Sequence, residues 1–277
     1  MPDRAKDRRT ERFDAADEAA AEVARRLDGR HALVLTDFDG TLAELVPMPG
    51  DAKVSEHVRG ALDSLAALPH LTLGVVSGRL RQDVVRRVGP AAEYAAGLHG
   101  LEISGPSVRF RHQALNEVEP IIARIAADAA RRLAWCPGCF LENKHCALTC
   151  HVRLTPSELA EQALEEFEAI AEPYLEARVL RLLTGSKAME LLPAVDWHKG
   201  RAVDWIRARV AARLDRPVSV LYLGDDRTDE DAFTGLRDDD FAIGVGDRPH
   251  THMIDARLEG PPAVGQFFSS LQALRRD

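Results

Sequence analysis

The chain has no apolar run approaching the roughly 18 residues of a membrane-spanning helix, which excludes a helical membrane protein. Its charged start, MPDRAKDRRTERFDAADEAA, lacks the apolar centre of a signal peptide, so a cytoplasmic protein without membrane attachment is expected. Basic residues are outnumbered, 36 against 44 acidic, and the net charge of −8 leaves no concentrated cationic surface for nucleic acid. A small anionic ligand stays open, because one metal ion and a few basic side chains can hold a phosphate locally. Low-complexity tracts are also missing, and the 15 prolines and 19 glycines serve as punctuation. Only four cysteines occur, all within WCPGCFLENKHCALTC at Cys136, Cys139, Cys146 and Cys150. A Cys-x-x-Cys followed six residues later by Cys-x-x-x-Cys is imperfect spacing for zinc. The competing reading is buried thiols on adjacent strands, with Cys146, Leu148 and Cys150 alternating onto one face.

What remains is a chain of 277 residues, 45% hydrophobic, with ample material for one large core or two smaller ones. Residues 13–28 read as an Ala-rich helix packed on the outside. From residue 32 short apolar runs, ALVLT, LTLGVVS, VSVLYLG and FAIGV, alternate with helical stretches such as SEHVRGALDSLAAL and DWHKGRAVDWIRARVAARL. That alternation predicts an α/β fold, a Rossmann-like parallel sheet covered on both faces. The middle third instead runs helix, strand, strand twice, which predicts an inserted α+β domain. The expected division is a helical extension over 1–30, core over 31–112, insert over 113–193 and core again over 194–277.

The unusual polar residues follow the strands. Asp37 and Asp39 come after ALVLT, Ser77, Gly78 and Arg79 after LTLGVV, and Gly224, Asp225 and Asp226 after VSVLYL. Ligands of open parallel sheets bind at the carboxyl ends of the strands, so these groups are expected to converge. Residues two apart on an extended segment point the same way, which aims Asp37 and Asp39 at one volume and turns Phe38 into the core. Two carboxylates this close repel unless a cation intervenes, and a hard divalent ion such as Mg²⁺ suits the oxygen donors, with Asp225 as a third protein group. One carboxylate can then attack while the other carries a proton. Ser77 can cap a helix expected over 79–88 or hold a phosphate, or both. Lys199, near the start of a helix that Asp196 can cap, is disfavoured there by the helix dipole unless an anion faces it; otherwise it is a surface lysine. In GDDRTDEDAF, Asp225 is the expected ligand and Asp226 an orienting group, whereas Asp229, Glu230 and Asp231 read as solvated or capping residues.

DFDGT (37–41), Ser77, Lys199 and the GDD loop (224–226) reproduce, in order, the four motifs of the haloacid dehalogenase superfamily of aspartate-dependent phosphotransferases, which the chain resembles. The resemblance implies an aspartyl-phosphate on Asp37 and Asp39 as general acid then base. It also implies Mg²⁺ held by Asp37, the Asp39 carbonyl and Asp225, with Ser77 and Lys199 on the phosphate. SGR (77–79), GLHG (97–100), ENK (142–144), HVR (151–153), KAMELLP (187–193) and GDDRTDEDAF narrow the likeness to the trehalose-6-phosphate phosphatase family, from residue 31 onward. That implies a phosphosugar substrate, a monomer, and an insert that closes over the sheet as a cap. Carried over by position, Glu142, Lys144 and Glu190 hold sugar hydroxyls, with Arg79 and His99 lining the pocket. Without the resemblance, Glu142 and Lys144 also read as a cross-strand surface pair and His99 as a structural histidine. Related phosphosugar phosphatases and a silent sugar-phosphate sensor are the competing functions, though a silent relative would be expected to lose one of Asp37, Asp39, Lys199 or Asp225.

Overall fold

A computed structural model describes residues 16–185, 187–248 and 254–275. Most of the expected N-terminal extension, residues 1–15, lies outside them. Among the described residues two compact units separate: one takes the chain up to Phe110 and again from Trp197, the other Arg111–Asp196. No described helix is long and apolar enough to cross a membrane.

The first unit is built on strands β1 (His31–Thr36), β2 (Leu71–Val76), β3 (Tyr94–Gly97), β4 (Glu102–Gly105) and β5 (Val108–Arg111). The second unit contributes β6 (Phe140–Asn143), β7 (Leu148–His151), β8 (Leu180–Gly185) and β9 (Ala188–Pro193). The chain then returns with β10 (Val218–Gly224), β11 (Phe241–Val245) and β12 (Ala256–Leu258). The large sheet runs β12-β11-β10-β1-β2-β3-β4-β5, parallel from β12 to β3. β4 pairs antiparallel to β3, so the sheet is mixed, not purely parallel as expected. β1 is buried on both faces. Its odd residues, Leu33 and Leu35, join Val220 and Tyr222 under helices α6 (Lys199–Leu214) and α7 (Glu230–Thr234), while Val34 joins Leu221 and Leu223 on the opposite face. Period-two alternation with apolar residues at every position is what fills two core layers from one strand.

The opposite face is covered by α1 (Ala16–Arg26), α2 (Glu56–Ala66), α3 (Arg81–Val88) and α8 (Pro261–Leu274). α2 starts where the Ser55 hydroxyl accepts the Val58 N–H, an N-cap. α1 is no mere appendage, since Ala19, Ala20 and Val23 sit in the same core cluster as Phe267 and Leu271 of α8. The chain turns back at β1: β2 and β3 lie to one side, β10 and β11 to the other. A crevice for ligand opens at the carboxyl ends of strands at such a switch point. At the end of β5, Phe110 stacks on Trp197, ring centroids 4.6 Å apart, so the first unit's chain leaves and re-enters at one place.

In the second unit, α4 (Ala114–Arg132) and α5 (Ser157–Glu176) accompany an antiparallel sheet of order β6-β7-β9-β8. The helix, strand, strand pattern does occur twice. Both helices accommodate a proline in their interior, Pro120 in α4 and Pro173 in the last turn of α5.

Candidate active site

β1 hands over to the site without a break. The Asp37 N–H still donates to the Leu223 carbonyl, 2.8 Å, so Asp37 is the last residue held by the sheet. Phe38 is fully buried, as the alternation requires. The chain then turns tightly, with the Gly40 N–H on the Ala43 carbonyl and the Leu42 and Ala43 N–H groups on the Phe38 carbonyl. Gly40 has φ of +78°, and a Cβ there would run into the Asp225 carboxylate. Glycine is therefore required both by the left-handed turn and by the approach of a second acid.

Lys199 is 1% exposed, the first residue of α6. Its Nζ lies 2.8 Å from Asp37 Oδ2 and 2.8 Å from Asp229 Oδ1. Asp229 is fully buried and saturated: Oδ1 also accepts the Tyr222 hydroxyl at 2.7 Å, and Oδ2 the Asp226 N–H at 3.0 Å. Asp225 accepts from the Thr41 hydroxyl at 3.1 Å. One carboxylate oxygen from each of Asp37, Asp225 and Asp229 fits within 4.8 Å of the others. A single ammonium cannot neutralise three carboxylates in a dry site. Burial pushes the Asp37 carboxyl up to about 7, with Lys199 pulling against it and Asp229 and Asp39 adding repulsion. Burial, then Asp37 and Asp229, push Asp225 up to about 9. Burial works to lower Lys199, but the two carboxylates override it and hold the ammonium charged. Such a cluster lacks positive charge, and hard oxygen donors this close are the donor set of a divalent cation.

Asp39 points elsewhere. Arg79 grips its carboxylate with both prongs, Nε to Oδ2 at 2.7 Å and Nη2 to Oδ1 at 2.6 Å. Arg79 is itself fixed by Asp83 at 2.9 Å, by the Pro49 carbonyl at 2.9 Å, and by lying over the Phe38 ring. Ser77, 1% exposed, follows β2 and accepts the Arg79 N–H on its hydroxyl at 3.3 Å. Its carbonyl accepts the His99 N–H at 2.9 Å, and the Arg79 carbonyl accepts that of Leu98 at 2.8 Å. Leu98 and His99 both take positive φ to make this turn, and the bare face of Gly78 leaves room for the His99 ring. SGR and LHG thus interlock through backbone.

Within the second unit, Glu142, Lys144 and Glu190 come together. Lys144 Nζ sits 2.6 Å from Glu190 Oε1 and 3.8 Å from Glu142 Oε2. Thr149 donates to Glu190 Oε1 at 3.1 Å, and His151 Nε2 lies 3.1 Å from Glu142 Oε2. Lys144 and Glu190 are buried, so this is not an exposed surface pair. Burial works to raise the Glu142 carboxyl, but His151 and Lys144 leave it below its ordinary value.

Four expectations need correcting. Asp229, taken as a solvated cap, is the most buried acid of the loop and the partner of Lys199; the spacing Gly-Asp-x-x-x-Asp over 224–229 was the available signal. Asp226, read as orienting Lys199 or metal waters, is not the partner of Lys199: its carboxylate caps the turn at Arg227 and pairs with Arg248. The helix after Ser77 begins only at Arg81, with Leu80 at its N-cap, and α6 has His198, not Asp196, at that position. The buried-thiol reading of the cysteines holds for Cys136, Cys146 and Cys150, with Cys139 half-buried; all four are free, and among the described residues the Asp37, Asp225 and Asp229 trio is the only grouping of three or more His, Cys, Asp or Glu ligands, so they build no preformed zinc site.

A family model described as trehalose-phosphatase matches residues 35–255. The protein described as "Probable trehalose-phosphate phosphatase D" of Arabidopsis thaliana is 32% identical over 261 residues, 90% of this chain and 69% of that one. A trehalose-phosphate phosphatase of Mycobacterium marinum is 33% identical over 244 residues, 86% of this chain and 60% of that one. The chain therefore spans between about three fifths and about two thirds of these relatives. Among solved structures, the C-terminal domain of C. albicans trehalose-6-phosphate phosphatase has a TM-score of 0.75, covering 92% of this chain and 97% of that one, at 21% identity.

Proposed function

The chain belongs to the trehalose-phosphatase family, and from that premise we propose that it hydrolyses trehalose 6-phosphate to trehalose and phosphate through an aspartyl-phosphate on Asp37. The observation that carries this reading is the buried Asp37 carboxylate at the end of β1, fixed 2.8 Å from a fully buried lysine and beside Asp225. Its Oδ1 accepts the adjacent Phe38 N–H at 2.7 Å, and that bond together with Lys199 aims the group. Preorganised charge and alignment are most of what phosphoryl transfer asks of a protein.

In this reading Asp37 and Asp225 hold a Mg²⁺ ion, joined by the Asp39 carbonyl, while Asp229 keeps Lys199 in place. When bound, the ion supplies Lewis-acid neutralisation of phosphate charge. Asp37 attacks phosphorus, and Asp39 gives a proton to the departing sugar oxygen. Asp39 then takes a proton from the water that cleaves the acyl-phosphate. Both Asp39 carboxylate oxygens are engaged by Arg79, so Asp39 must turn out of the fork to reach the leaving oxygen. Arg79 stays put because Asp83 and the Pro49 carbonyl hold it independently. Ser77 and Lys199 bind phosphate oxygens, with Gly78 and His99 shaping the floor beneath them. Glu142 and Glu190 accept from sugar hydroxyls and Lys144 donates to them, and polar groups left unpaired there reject an ester lacking those hydroxyls.

Phosphate release from a panel of phosphosugars, with Mg²⁺ and with EDTA, tests this. Trehalose 6-phosphate is expected to lead the panel in Mg²⁺ and to be inert in EDTA. Faster turnover of sucrose 6-phosphate or mannosyl-3-phosphoglycerate would overturn the substrate assignment.

The ion also makes a stability prediction. Asp37, raised to about 7, and Asp225, to about 9, keep protons in the folded protein that the unfolded chain, titrating near about 3.9, gives up. Their contribution to stability without metal is therefore full below about pH 4 and is lost as pH rises towards about 9, opposite in sign to that of carboxyls held low by arginines, such as Asp83. Melting curves in EDTA should drop across this window, and Mg²⁺ should flatten the drop. Identical slopes with and without Mg²⁺ would remove Asp37 and Asp225 as its ligands.

A further inference from the structure

We propose that Cys139 and Cys150 form an oxidisable dithiol, a reversible disulfide site beneath the strand that carries Thr149 and His151. Their sulfurs lie 3.5 Å apart in the reduced protein. A disulfide needs about 2.05 Å, so roughly 1.5 Å of approach closes the bond. Two features let the sulfurs meet. Cys150 is fixed in β7, opposite Leu141 of β6, whereas Cys139 stands one residue before β6 and outside its ladder. The Cys139 N–H is held only by a long bond, 3.4 Å, to the Cys136 carbonyl. The turn before it is anchored, because Gly138 has φ of +78° and packs where a Cβ would collide with the Leu154 carbonyl.

The two thiols differ as an attacking and a resolving pair should. Cys139 is half-buried and Cys150 fully buried. Hydrogen bonds from Cys150 and Cys136 favour the Cys139 thiolate, and the same contact with burial keeps Cys150 protonated. With hydrogen peroxide, the Cys139 thiolate forms an S–O bond as the O–O bond breaks, and hydroxide leaves as water after protonation. The Cys150 sulfur then attacks the Cys139 sulfur, the S–O bond breaks, and the second oxygen leaves as water with the Cys150 proton. Two thiols are oxidised by two electrons, and one peroxide becomes two waters.

Position gives the bond a consequence. Cys150 lies between Thr149, bonded to Glu190, and His151, bonded to Glu142. Cys139 makes most of the approach, but Gly138 anchors the turn before it, so the closed bond also pulls on Cys150 and strains β7 under both acids. This part rests on the proposed function, in which those acids hold the sugar.

The test is mild peroxide treatment of the full chain, then digestion without reductant and mass spectrometry. A Cys139–Cys150 cross-link is expected, with two of the four free thiols lost and both restored by dithiothreitol. The cross-link should persist in Cys136→Ser and vanish in Cys139→Ser. A Cys136–Cys139 link as the main product, or sulfinic and sulfonic acids without any cross-link, would overturn the proposal. For the linked form, KM for trehalose 6-phosphate should rise several-fold while turnover of p-nitrophenyl phosphate, which has no sugar, stays unchanged. An unchanged KM would overturn the link to sugar binding. If trehalose 6-phosphate proves not to be a substrate, the cross-link map still decides the thiol chemistry.

Discussion

Asp37→Asn is expected to stop phosphate release, by a factor on the order of 10⁴ or more, in a protein that folds as well as the parent. The amide keeps an oxygen for the Phe38 N–H but has no carboxylate to attack phosphorus. Removing a nucleophile differs from removing a binding group, because no later step can proceed without the covalent intermediate. The folding side of the forecast comes from the same geometry. Asp37 is one of three carboxylates gathered within 4.8 Å around one lysine, so the substitution relieves repulsion. Melting in EDTA at neutral pH should be unchanged or raised. Phosphate release near the parent rate, with the fold confirmed by circular dichroism, would remove Asp37 as the nucleophile.

Asp229→Ala should have the largest effect on stability. The carboxylate is fully buried and serves three donors, Lys199, Tyr222 and the Asp226 N–H. Truncation leaves a lysine at 1% exposure facing Asp37 alone of its two carboxylates, and leaves the Tyr222 hydroxyl and an amide without their acceptor. Breaking a buried charge pair costs roughly 3–5 kcal/mol. Urea unfolding in Mg²⁺ should register that loss, and turnover should fall with it as Lys199 loses its aim. A cost below about 1 kcal/mol would mean that Asp229 is an ordinary capping residue.

The contrast between these two acids marks how far the sequence could be read. Asp37 was legible because an apolar strand ended in a polar pair with glycine after it, a pattern with little other use. Asp229 was not, because five acids crowd GDDRTDEDAF and any of them can cap a helix; only the fold decides which one turns inward onto Lys199. The grip of Arg79 on Asp39 was hidden for a related reason. Both residues were named, but an ion pair between positions 40 apart depends on how β1 and β2 lie side by side. Central strands with unbroken apolar runs were evident, while β4 and β5, four residues each and partly exposed, carry too weak an alternation to announce a hairpin. The insert was readable as a repeated pattern and its first two strands as neighbours, although of the four thiols only Cys150 lies within a strand.

The stacking of Phe110 on Trp197 also bears on descent. Because both ends of the interruption are pinned at one place in the host, everything from 111 to 196 is, to the host, a closed loop. Loop-closure entropy grows only slowly with length. Lengthening, trimming or replacing that interruption therefore leaves the host's own strand pairing nearly untouched. If the insert holds the sugar as proposed, a lineage can revise recognition there while the buried aspartates and their lysine are inherited unchanged.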